Sequence, residues 1–76
     1  MHAISTLEST ILLELGHRIK QLRMNKGISQ TQLSLNCNME KSSMSKIESG
    51  QVNISYLTMI RLSKSLEVSV KELCGN

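Results

Sequence analysis

The sequence predicts an all-α domain of five helices and no strand, on three observations. Apolar residues recur at helical spacing, with no sustained period-two alternation. Two Ser-x-x-Gln/Glu patterns, at Ser29–Gln32 and Ser69–Glu72, have the spacing of capping boxes that open helices. In a chain without proline, glycine alone punctuates the pattern, chiefly at Gly27 and Gly50.

The first helix is expected from Glu8 or Thr10 to Asn25, with Ile11, Leu12, Leu15, Ile19 and Leu22 as its apolar stripe. Arg18, Lys20, Arg23 and Lys26 crowd its C-terminal half, where positive charge suits the helix dipole. Gly16 costs about 1 kcal/mol against alanine inside a helix, so its presence implies a close neighbour. Gly27 fits the left-handed position just past the helix end. Ser29 then caps a short second helix with Leu33 and Cys37 inward, and Asn38 can turn left-handed at its exit.

The third helix is expected from Lys41 to Ser49, with Met44 and Ile47 inward. Four of its nine residues are serine, a weak helix former, so tertiary packing must hold it. A fourth helix, capped by Ser55, runs from Tyr56 to Leu66. Tyr56, Met59, Ile60, Ser63 and Leu66 read as one face, with Leu57 and Leu62 off it. The Ser69 capping box opens a last helical turn ending near Leu73.

Composition bounds the functions. A chain of 76 residues permits one small domain, divided on this reading into an N-terminal extension over 1–13 and a domain over 14–76. Its 39% hydrophobic and 20% charged content excludes disorder. The net charge of +3 permits a nucleic-acid partner without requiring one. Cys37 and Cys74 are too few and too far apart for a disulfide scaffold or zinc site, and His2 and His17 have no partners at ligand spacing. The longest apolar run, Ile11-Leu12-Leu13, falls far short of the roughly 20 residues that span a bilayer. The first ten residues lack the charged and apolar regions of a signal peptide. A cytoplasmic protein with no membrane partner, metal, cofactor or small-molecule ligand is expected. It is not expected to be an enzyme, since no nucleophile elbow, triad or Gly-rich phosphate loop occurs.

Two short helices joined by a tight turn, the second lined with small polar and basic residues, form a helix-turn-helix pattern. Ser29 to Gly50, SQTQLSLNCNMEKSSMSKIESG, resembles the helix-turn-helix of the phage repressor and Cro class, the XRE family. Ser29, Gln30, Leu33, Ser42, Ser45, Ile47, Glu48 and Gly50 match that pattern without a gap. The flanks Arg18–Arg23 and Leu62–Leu73 are similar to the family's first and closing helices, so the resemblance covers about Glu14 to Leu73. Four positions depart from the pattern. Asn38 stands for the usual Gly, Glu40 for a Ser, Thr or Asp cap, and Glu67 for a frequent Gly. Ser34 stands for Ala, and its hydroxyl must find a backbone carbonyl.

The resemblance implies a compact lambda-repressor-like fold and a sequence-specific regulator of transcription, of repressor or controller type, that binds double-stranded DNA as a homodimer on a palindromic operator. Gln30, Lys46, Asn53 and Arg23 are the candidate phosphate contacts. Lys41, Ser42, Ser43 and Ser45 are the candidates for base readout, since short side chains admit the helix deep into a major groove and lysine can meet guanine O6 and N7. Arg23 and Glu48 are similar to a family ion pair. The apolar surplus of the closing helices places the expected dimer surface at Leu57, Leu62, Val70 and Leu73. The rival reading is an antitoxin-like module that neutralises a partner protein, with residues 1–13 as its only spare segment. A single aromatic, Tyr56, cannot build a stacking platform for single strands.

Overall fold

The computed structural model describes residues 6–75. In order it contains α1 (Thr6–Lys26), α2 (Gln30–Asn36), α3 (Lys41–Glu48), α4 (Tyr56–Leu66) and α5 (Val70–Leu73), and no strand among the described residues. The long α1 packs against α3, α4 and α5, while α2 packs against α3 and α4. The core where they meet is Ile19, Leu33, Cys37, Met44, Ile47, Leu62, Leu66 and Leu73. No helix among the described residues is long and apolar enough to cross a membrane.

The helix ends follow local chemistry. The Ser29, Ser55 and Ser69 hydroxyls each accept from the backbone N–H three residues on. Each thereby satisfies a donor the helix leaves without a partner. At Ser69 the box closes in both directions, since the Glu72 carboxylate accepts from the Ser69 N–H. The Ser29 pattern closes in one direction only, because the Gln32 amide turns along the helix to Asn36. Asn38 (φ 56°) and Glu67 (φ 58°) both take the left-handed conformation at helix exits. Glu67 holds it without glycine's freedom and pairs there with Lys26.

Gly16 explains how α1 meets α3. A β-carbon at Gly16 would lie 2.4 Å from the Ile47 carbonyl oxygen and 2.6 Å from that of Glu48. The α1 backbone therefore sits directly on the last turn of α3. One turn earlier, Leu13 lies against Gly50 in the same way, with its Cα 2.8 Å from where a Gly50 β-carbon would stand.

Two expectations about faces are corrected. α1 starts earlier, at Thr6, and Ile11 stands half exposed instead of in the stripe. The burial of α1 centres on Gly16 and Ile19, flanked by Leu15 and Leu22. In α4 the inward face is Met59, Leu62, Ser63 and Leu66, an i, i+3, i+4, i+7 set, and Tyr56 is 76% exposed. Ser63 sits in this face because its hydroxyl donates to the Ile60 carbonyl at 2.8 Å, so burial leaves no polar atom without a partner. Leu62 and Leu73 are wholly buried in the protomer's own core and cannot line an intermolecular surface. Leu57 remains exposed and Val70 partly so.

Candidate nucleic-acid interface

α2 and α3 are joined by a four-residue turn, Cys37 to Glu40, that reverses at the left-handed Asn38. The Met39 N–H returns to the Ser34 carbonyl at 2.9 Å, closing the end of α2. Ser34, buried between the helices, donates its hydroxyl to the Thr31 carbonyl at 2.7 Å. Glu40 caps α3 through its backbone alone, with no side-chain hydrogen bond.

α3 is sharply two-sided. Met44, Ile47 and Glu48 are buried, while Lys41, Ser42, Ser43, Ser45 and Lys46 are all exposed. The outward side chains engage no partner among the described residues. The helix is thus anchored from beneath, and its poor helix formers are free to face a ligand.

Glu48 is the polar centre of that anchorage. Its carboxylate accepts from Arg23 Nε at 2.7 Å and Nη2 at 3.1 Å, and from Gln30 Nε2 at 3.1 Å. Arg23 Nη1 donates to the Ile28 carbonyl at 3.0 Å. One carboxylate at the end of α3 therefore ties together α1, the start of α2 and the α1–α2 turn. Among the described residues no buried side-chain nitrogen or oxygen is left without a partner.

This network redistributes the expected roles. Arg23 has an accessible fraction of only 13% and spends its nitrogens on Glu48 and Ile28, which leaves it poorly placed for a phosphate. Gln30 has one amide hydrogen on Glu48 and keeps the other. Asn53 accepts the Ile54 N–H on its own Oδ1, and its amide NH2 stays free to donate. Lys20, absent from the expected set, borders a recess with Gln30 and Ser45.

Ser43 and Lys46 form one wall of a groove of about 480 Å³ whose other side carries Asn53, Thr58 and Arg61. Sequence reasoning passed over Arg61 because it lies outside the two motif helices. No helical period aligns α4 with α3; only the loop between them brings it to the groove.

Residues 19–73 match the helix-turn-helix family. This chain belongs to that family, in its phage-repressor and Cro branch. The helix-turn-helix domain is 32% identical over 68 residues to the control protein C.BamHI of Bacillus amyloliquefaciens, across 88% of this chain and 84% of that one. Its fold is similar to that of the restriction-modification controller protein C.AhdI from Aeromonas hydrophila. There the TM-score is 0.80 and the identity 32%, over 82% of this chain and 94% of the other. A variant of the controller protein C.Esp1396I matches with a TM-score of 0.76 and 28% identity, over 84% and 85% of the two chains. The helix-turn-helix proper is α2, the Asn38 turn and α3, with α1, α4 and α5 as its support. As a member of this branch the domain is a DNA-binding regulator of transcription.

Proposed function

We propose that the chain is a controller-type transcriptional regulator that binds a palindromic duplex site as a homodimer, with α3 as the recognition helix in the major groove. The observation that carries this reading is the two-sidedness of α3. A helix of small polar and basic residues is held rigid by a buried ion pair, and its outward side chains are left uncommitted. Lys41, Ser42, Ser43 and Ser45 then address base edges, while Lys46, Gln30 and Asn53 address the backbone. The likeness to control and controller proteins supports the regulatory role.

One recognition helix reads only a few base pairs, so specificity calls for two, about 34 Å apart on one face of the duplex. The surface we assign to dimerisation is the exposed apolar edge of α4 and α5, around Leu57 and Val70. Leu57→Glu should yield a folded monomer in sedimentation, since Leu57 is 57% exposed and no core contact is lost. A Leu57→Glu protein as dimeric as its parent places the interface elsewhere.

Duplex binding is tested through salt. If six to ten phosphates are contacted per dimer, affinity should fall roughly 10³- to 10⁵-fold between 50 and 200 mM salt. Affinity that stays flat, or that fails to rank a selected site above random duplex, is incompatible with the reading. Readout is tested at Lys41. Lys41→Ala should relax preference at one base position by about 1–3 kcal/mol. An unchanged site preference removes Lys41 from the readout set.

A further inference from the structure

One cation beside the recognition helix is not accounted for by the motif. Arg61 lies in the middle of α4 and lines the same groove as Ser43 and Lys46. The other arginines have structural work: Arg18 Nε donates to the Glu72 carbonyl at 3.1 Å, and Arg23 is bound by Glu48 and Ile28. Arg61 is exposed and engages no acceptor among the described residues.

The groove carries positive charge beside the apolar side chains of Met39, Ile47, Val52 and Ile54. Lys46 and Arg61 line it and no acid does. The carboxylates of Glu48 and Glu67 are engaged elsewhere, by Arg23 and Lys26. Two like charges bordering a concave site raise its potential, and an anion seated there relieves their mutual repulsion. Ser43 and Asn53 add neutral donors on the same walls. A guanidinium suits the task because it can offer a phosphate two parallel N–H bonds.

Resting on the reading of this chain as a duplex-DNA binder, the geometry points to Arg61 as a backbone-phosphate anchor. The strand passing the α4 side of the recognition helix places a phosphate in the groove between Arg61 and Lys46. The DNA footprint thereby extends beyond the helix-turn-helix to the fourth helix. Such a contact fixes the orientation of α3 in the major groove and carries no base information of its own.

The test compares the parent, Arg61→Ala and Arg61→Lys on two duplexes, one of random sequence and one carrying a site selected from a random pool. Arg61→Ala should weaken binding to both by roughly ten-fold at low salt. It should reduce the steepness of the log affinity against log salt plot by about one for each subunit bound. Arg61→Lys should restore the steepness and only part of the affinity, because a point charge replaces a bidentate one. The thermal midpoint should match the parent's, as an exposed side chain without partners is being removed. A folded Arg61→Ala protein with the parent's salt dependence overturns the assignment, as does one that changes the selected site instead. If the parent itself does not bind duplex DNA, the functional reading fails and the anchor with it.

Discussion

Glu48→Ala should remove a large share of the domain's stability. The carboxylate is buried, with a side-chain accessible fraction of 3%, and accepts three hydrogen bonds from Arg23 and Gln30. Removing it leaves the Arg23 guanidinium largely out of water, with the Ile28 carbonyl as its remaining partner. Breaking a buried ion pair from one side costs about 3–5 kcal/mol. A small domain has a total stability of only about 5–15 kcal/mol, so this is a large share. Urea denaturation gives the number. Glu48→Gln should lie between the parent and Glu48→Ala, since it keeps an acceptor but loses the charge. Replacing both partners, as in Arg23→Met with Glu48→Leu, should recover much of the loss, because no charge is then stranded. A Glu48→Ala protein within about 1 kcal/mol of its parent would show the pair to be solvated. Even in the double variant, DNA binding should stay impaired, since Gln30 and the end of α3 lose their common tether.

Gly16→Ala is the second large effect, and its sign runs against helix propensity. In an exposed helix the change would stabilise by about 1 kcal/mol. Here the new methyl would stand 2.4 Å from the Ile47 carbonyl oxygen and 2.6 Å from that of Glu48. Both are backbone atoms and cannot rotate away, so α1 and α3 must separate. Overpacking of this kind reaches about 3 kcal/mol. Gly27→Ala is the control: Gly27 has a φ of +76° but open space around it. Its cost should be conformational only, about 1–2 kcal/mol. If thermal melting ranks Gly16→Ala as stable as the parent, the direct seating of α1 on α3 is wrong.

The fold was largely legible because caps and turns are local. Ser29, Ser55, Ser69 and Asn38 announce helix boundaries by chemistry confined to four or five residues, and the structure places those boundaries there. Gly16 was legible as a close-packing position because nothing else rationalises a glycine in mid-helix, though not which helix it would meet. Faces were harder. On α4 the sequence reading placed Met59, Ser63 and Leu66 inward correctly, but hydropathy drew Tyr56 and Ile60 into that face in place of Leu62. The same error put Leu62 on the surface. In α1 the periodic stripe continues through Ile11, but the core ends before it. Within the candidate interface, the outward set on α3 could be read from short side chains in a helical frame. The commitment of Gln30 and Arg23 to Glu48 could not, since it depends on three separate segments meeting at one carboxylate. Arg61 was hidden for the same reason: it becomes a neighbour of Lys46 only once the chain has folded.

The two-sidedness of α3 also bears on how such a protein can change over evolutionary time. Stability resides in Met44, Ile47 and Glu48, below the helix axis, and the outward residues contribute no side-chain bond to the fold. Surface substitutions away from packed or bonded features usually alter stability by no more than about 0.5 kcal/mol. Mutations at Lys41, Ser42, Ser43 and Ser45 are therefore nearly neutral to folding, while on the proposed reading they change what the helix recognises. A duplicated gene could drift through many combinations at these positions without passing through an unfolded ancestor. On the proposed reading, recognition and architecture lie on opposite sides of the same eight residues, Lys41–Glu48, so a new target could be acquired without rebuilding the domain that presents it.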